Sequence, residues 1–395
     1  MGWNITCGAW PSVCRIIACL PSVALITLGI AHADIPLPSN GGTQLQNPQT
    51  LIDTLTQKIR SGSLSGKELA DAYLGLCEAN AQLRRINIAI TACSKSIDTL
   101  DSWDARFVRS AIYTGLKNYP AALEDFAALT RLNPNDPSGH ALGASIYWIT
   151  GNIDMYASES DAAMSLIPNP IPALKARAEL YFNNGYWSRA LGDYDALLKR
   201  EPDNPQILHF RGDAKSYLGN YDEGMLDYDR ALELDPKAQL VPIAMSKVLS
   251  FFDRQKYDDA AAQAQIAADA APDNAYNLLW LNLTRTHAGK FNPEDFSRRA
   301  ASVNPSAWPY SIIAFELGTI TEDKLFVAAG NGTSPQQVSG QKCEADFYLG
   351  EYKLNKDKSA AVSLLRDAAG SCLKGFFEAN GAAFELRALG EDVKF

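Results

Sequence analysis

A proline recurs along this chain at close to 34-residue intervals. Pro134, Pro168, Pro202, Pro236, Pro272 and Pro305 are separated by 34, 34, 34, 36 and 33 residues. Each follows an apolar stretch of helical periodicity, and a proline cannot continue a helix, so each marks the end of one. Such a period means one supersecondary unit copied along the chain, with each copy burying its apolar face against its neighbours. It also accounts for the length. A chain of 395 residues is too long for one compact core, whereas a repeat array has no such limit.

The interiors of the units repeat too. One reads Leu174, Arg177-Ala178, Tyr181, Gly185-Tyr186-Trp187, Ala190 and Tyr194 before Glu201-Pro202. The next reads Leu208, Arg211-Gly212, Lys215, Gly219-Asn220-Tyr221, Gly224, Tyr228 and Ala231 before Asp235-Pro236. Ala178 and Gly212 are small where a first helix presses on a second, and Ala190 and Gly224 are their small partners. Tyr194 and Tyr228 fill the groove between helices. Gly185 and Gly219 end the first helix, where a left-handed residue is needed. The pattern resembles the tetratricopeptide repeat, with Leu in the Trp place and Tyr in the Phe place. It predicts an all-α solenoid, a right-handed superhelix of helix-turn-helix units.

Other units are weaker. Arg109-Ser110, Tyr113, Ala122 and Phe126 precede Pro134; Gly143-Ala144, Tyr147, Gly151 and Ala163 precede Pro168. Tyr257, Ala260 and Ala264 mark a second helix before Pro272, with Pro242 expected to disturb its partner. Leu278, Leu281, Gly289 and Phe291 lead to Pro305. Leu76-Cys77 and Ala89 to Cys93 read as a degenerate first repeat. The array proper spans 103–305, preceded at 51–102 by N-terminal helices and followed at 306–395 by an atypical helical cap. Within the cap, 308–329 reads as short helix and 330–341 as a Gly/Ser/Gln loop. Leu349-Gly350, Ala361, Leu365 and Ala368 read as a last hairpin.

The N-terminus carries an export pattern. Arg15 is the only charged side chain before Asp34; an apolar run follows it and closes in Ala31-His32-Ala33. That is a signal peptide over 1–33, cut before Asp34. An uncleaved anchor is the alternative, at the short limit for a spanning helix and interrupted by Pro21. Ile16-Ile17-Ala18-Cys19 has the form of a lipobox, but it begins the hydrophobic core that a lipobox should close. A Pro-, Gly-, Gln- and Asn-rich linker at 34–50 is expected to be disordered. The expected location is the periplasm.

Cys7, Cys14 and Cys19 leave with the signal, while Cys77, Cys93, Cys343 and Cys372 remain. Four cysteines permit three pairings. Proximity favours Cys77 with Cys93 and Cys343 with Cys372, each stapling one helix hairpin; four buried thiols are the alternative. Cys343 is expected at the start of one helix and Cys372 near the end of the next.

The bacterial tetratricopeptide-repeat family is the group the chain resembles, most nearly its exported members and the NlpI-type lipoproteins. The stretch Cys343-Glu344-Ala345-Asp346-Phe347-Tyr348-Leu349-Gly350-Glu351, with Cys372, Phe376-Phe377-Glu378 and Glu385-Leu386, is similar to the closing segment of that group. The resemblance implies a periplasmic adaptor that brings proteases and cell-wall hydrolases together. The chain departs from the group in lacking a well-placed lipobox. It departs also from repeats that grip a C-terminal carboxylate, because its inner helix faces carry Glu179 and Asp213 among Ala141, Ser145, Lys175, His209, Leu279 and Leu283.

The net charge of -9 argues against nucleic acid as a partner. His32, His140, His209 and His287 show no ligand or triad spacing, and neither a phosphate loop nor a nucleophile elbow is found. No catalytic, cofactor or metal residue is assigned, and no small-molecule substrate is expected; the expected partners are proteins or peptides. A membrane contact is expected only if the signal segment stays uncut. Trp148, Phe182, Tyr217 and His287 occupy nearly equivalent places near the ends of first helices, flanked by Lys175, His209, Asp213 and Tyr276. An aromatic ladder among polar groups suits a peptide; ordinary inter-repeat packing is the alternative. A structural homo-oligomer is a second expectation, motivated by a terminal hairpin taken to expose Phe376-Phe377. A pocket joining His209 and Asp213 to a third titratable group would be the sign of an enzyme.

Overall fold

The computed structural model of the chain describes residues 47–372 and 376–392. The expected signal at 1–33 and residues 34–46 of the expected linker lie outside the described residues. Those described form twenty α-helices and no strand, the all-α repeat class that the period predicts. None of these helices is long and apolar enough to cross a membrane. Two compact units divide at Arg177 and Ala178, inside the span 103–305 read as one array.

In the N-terminal unit the first helix, Pro48–Arg60, starts within the expected linker. Pro48 stands at its first turn and the Asn47 side chain accepts from the Gln49 amide at 2.9 Å, the usual chemistry of a helix start. Three hairpins follow: Gly66–Gln82 with Ile86–Thr99, Trp103–Gly115 with Tyr119–Leu132, and Pro137–Ile149 with Ile153–Ser165. A Cβ on Gly143 would lie 2.4 Å from the Phe126 ring, so only glycine lets these helices approach. Cys77 and Cys93 are joined across the first hairpin, their Cα atoms 5.1 Å apart.

The C-terminal unit continues with Trp187–Leu198, Pro205–Tyr217, Tyr221–Leu234, Pro236–Asp253, Tyr257–Ala270 and Ala275–His287. A Cβ on Gly212 would meet the Tyr228 ring at 2.6 Å, and Tyr194 and Tyr228 are buried, as the repeat pattern predicts. Pro242 does not disturb its helix. Pro236–Asp253 runs through it for 18 residues, and Pro236 itself starts that helix. One lost amide is tolerated because Ile243, Val248 and Phe252 of the same helix are buried on their neighbours.

Hairpin turns in both units share one device. Lys117, Gly151, Gly185, Gly219, Gln255 and Gly289 take positive φ. Each is followed by an amide that reaches back five residues, as from Asn118 to the Tyr113 carbonyl and from Asn220 to that of Lys215, both at 2.9 Å. This is the Schellman helix stop. Glycine is therefore the common choice, and Arg84, Lys117 and Gln255 hold the same turn in three hairpins.

The cap differs from expectation. Residues 308–329 form two short helices, Tyr310–Glu316 and Glu322–Ala329, and the expected loop at 330–341 is largely helix, Pro335–Lys353. Ser334 caps that helix from its side chain and Pro335 begins it, so the polar composition marked a helix start. Lys358–Ser371 and Phe377–Ala388 complete the chain. Cys343 and Cys372 are joined, Cα atoms 5.4 Å apart, with Cys343 well inside its helix rather than at its start. Phe376 and Phe377 are half-buried: Phe376 packs on this disulfide and Phe377 lies 6.2 Å from Trp280. The exposed pair that motivated a homo-oligomer is therefore not exposed.

Candidate functional site

Within the C-terminal unit the first helices of successive repeats and the cap enclose a cavity of about 800 Å³. Five of the eight expected partner-binding residues line it: Phe182, His209, Asp213, Tyr217 and Tyr276. The cap supplies Glu344, Phe376, Phe377 and Glu378, which the sequence reading had given to the closing segment and not to a site. Glu179 and Asn183 are exposed beside it.

Two of the four rings of the expected ladder meet here, and both are engaged within the unit. Phe182 and Tyr217 lie 5.7 Å apart and Trp187 stacks on Tyr217 at 4.8 Å. The Tyr217 hydroxyl accepts from Asn380 at 3.2 Å, so this ring also anchors the terminal helix. Tyr276 donates to Glu344 at 3.0 Å, and Trp308 donates to the same carboxylate oxygen at 2.6 Å. Trp280, stacked on Phe347 at 5.6 Å, and Tyr348 both donate to Glu378, at 3.4 and 3.2 Å.

The electrostatics are one-sided. Glu179, Asp213, Glu344 and Glu378 line the cavity, with no lysine or arginine among its described lining residues. Burial pushes the Asp213 and Glu344 carboxyls up from the usual range, against hydrogen bonds that favour the charged form. Burial and then the Glu344 charge raise Glu378 to about 7.

His209 and Asp213 share this cavity with the titratable Glu344 and Glu378, the arrangement named above as the sign of an enzyme, while His209, Asp213 and Ser246 do not form a proton relay. His209 Nε2 lies 2.9 Å from the Ser246 hydroxyl and 3.5 Å from Asp213. A nucleophilic relay needs the hydroxyl and the carboxylate on opposite ring nitrogens; both approach the same one. Tyr228 donates to Asp213 at 2.8 Å and fixes it further.

The remaining expected residues are not at the cavity. Trp148 and Lys175 belong to the N-terminal unit, where the Trp148 ring lies 5.0 Å from Tyr156. His287 ends its helix with its ring stacked on Tyr257 at 4.6 Å and Nε2 2.8 Å from Glu351. Glu385 completes a cluster with these two, one donor atom of each lying within 4.8 Å of the others.

The arginine clasps went unnoticed in the sequence. Arg109 reaches Asp125 through two nitrogens at 2.7 Å, with Arg106 on the same carboxylate at 2.9 Å. Arg211 grips Asp227 the same way at 2.8 and 2.6 Å, with Lys215 at 3.0 Å. The signal was available: arginine on a first helix and aspartate 16 residues later on its partner, in two repeats.

Residues 175–239 match the sequence profile of the tetratricopeptide repeat family. Helices and profile agree, and this part of the chain is tetratricopeptide repeat. Among solved structures the chain is similar to a tetratricopeptide repeat protein from Parabacteroides merdae, at 19% identity over 72% of this chain and 98% of that one, TM-score 0.43. It is similar also to the C-terminal part of a repeat-containing protein from Cytophaga hutchinsonii, at 11% identity over 60% and 95%, TM-score 0.44. A third is YrrB, a repeat protein described as having an unusual peptide-binding site, at 15% identity over 47% and 94%, TM-score 0.36.

Proposed function

We propose that this protein is an adaptor that binds protein partners, and that the cavity of its C-terminal unit receives a lysine or arginine side chain of the partner. The observation that carries this is the lining. Four carboxylates and a set of aromatic rings face a space large enough for a long side chain, without a lysine or arginine among the described lining residues. Aromatic faces attract ammonium and guanidinium groups, by about 2 kcal/mol or more when desolvated. Carboxylates whose protonation is favoured by burial regain their charge when a cation arrives. The repeat itself supports a binding scaffold rather than any one partner.

The export pattern of residues 1–33 supports a periplasmic setting, and two disulfides are compatible with an oxidising compartment. Partners in envelope proteolysis or assembly follow from the resemblance to NlpI-type proteins. N-terminal sequencing of the exported protein checks the setting: the mature chain begins at Asp34, whereas a retained Met1 in a membrane fraction would favour the anchor.

Fluorescence anisotropy with short labelled peptides tests the cavity. A peptide bearing one lysine or arginine among neutral residues binds, and replacing that residue by norleucine weakens binding at least tenfold. Glu344→Gln/Glu378→Gln in the protein has the same effect. Equal binding of the basic and norleucine peptides would remove the cavity from the function.

A further inference from the structure

We infer that His287, Glu351 and Glu385 form a binding site for a divalent transition-metal ion of the zinc class. The three sit on helices Ala275–His287, Pro335–Lys353 and Phe377–Ala388, and one donor atom of each lies within 4.8 Å of the other two. His287 Nε2 is 2.8 Å from one Glu351 oxygen. The other Glu351 oxygen and one oxygen of Glu385 are fully buried with no hydrogen-bond partner. The Glu351 side chain is 4% exposed and Glu385 6%, and neither forms an ion pair with a lysine or arginine among the described residues. Buried carboxylate oxygens ordinarily find a donor or a cation, because leaving them bare is costly.

The donor set chooses the ion. An imidazole nitrogen with two carboxylates suits zinc and its neighbours, whereas calcium and magnesium prefer oxygen alone. Zinc bonds of about 2.0–2.2 Å require donor atoms roughly 3.5 Å apart. Rotation about the terminal torsions of the two glutamates supplies that closure. The Tyr257 ring against His287 and the Phe252 edge at 5.2 Å make an apolar wall that keeps the imidazole in place. Ligands spaced 64 and 34 residues apart leave no local motif, so the sequence could not announce the site. Bound there, the ion joins the terminal helix to the last repeat and to the helix that carries Cys343. The site stands apart from the cavity and does not depend on the binding reading.

Calorimetry of the chelated mature chain against zinc chloride tests the site, with thermal unfolding recorded in zinc and in EDTA. One equivalent binds, zinc raises the melting temperature, and Glu385→Gln weakens binding at least tenfold. Equal zinc binding by the wild-type and Glu385→Gln proteins would overturn the assignment, as would no binding by the wild type. Should the variant fail to fold, wild-type NMR still decides: zinc shifts the His287 ring resonances, and binding that leaves them unmoved refutes the site.

Discussion

Buried acid is handled in two ways in this protein. In the repeats, Asp125 and Asp227 lie deep between paired helices, and each is met by an arginine fork and a second cation. From Ala275 onward the buried Glu344, Glu378 and Glu385 and the half-buried Glu316 and Glu351 meet only neutral donors, a histidine or one another. Asp125 and Asp227 are thus neutralised within their own hairpins, whereas Asp213, also in the repeats, meets His209 and neutral hydroxyls only. Those five glutamate carboxyls have no lysine or arginine partner among the described residues. Both places proposed to take a positive ligand, cavity and metal cluster, draw on those glutamates, joined at the cavity by Glu179 and Asp213 of the repeats.

Removing one partner from a clasp is the largest expected effect. Asp125→Ala leaves Arg106 and Arg109 without their shared acceptor and costs about 3–5 kcal/mol, read as a lowered urea midpoint. Glu378→Gln, in the cap, keeps an acceptor and relieves an unpaired charge, so it costs little or nothing. Equal losses in the two variants would erase the contrast.

Much of the repeat was legible and most of the cap was not, for a physical reason. Gly212, Tyr228 and the glycines that stop first helices act within one hairpin, so their spacing shows in the sequence. Glu344 under Tyr276, or Asn380 on Tyr217, joins residues 68 and 163 positions apart, a separation that no local pattern encodes. Five of the eight expected partner-binding residues do line one cavity because their repeats align them. His287, at the equivalent helix position, meets the cap glutamates instead.

The next effect concerns the staple. Cys343→Ala/Cys372→Ala removes about 2–4 kcal/mol from the cap. Hydrogen exchange then rises in Pro335–Lys353 and Lys358–Ser371 before the central hairpins. Uniform loosening would show that the cap and the repeats unfold as one.

Burial raises Glu316 to about 8, against a hydrogen bond from Asn282, while its unfolded value stays near the ordinary 4.5. The folded state therefore holds a proton that the unfolded state releases, and stability falls as pH rises from about 4.5 to 8. Glu316→Gln flattens that decline, measured by urea unfolding at pH 5 and pH 8. An unchanged slope would place the pH dependence elsewhere.

The smallest effect lies in the repeats. Lys117 holds a left-handed turn, φ 59°, that glycine holds in most other hairpins. Lys117→Gly gains about 1 kcal/mol from relieved backbone strain, seen as a raised urea midpoint.

A crystal structure of the protein with a bound lysine- or arginine-bearing peptide decides whether the cavity receives a cation. The ammonium or guanidinium group is expected inside the cavity, with a nitrogen about 3 Å from a carboxylate oxygen of Asp213, Glu344 or Glu378. A peptide bound elsewhere, or one that puts an apolar or acidic side chain in that space, would contradict that placement.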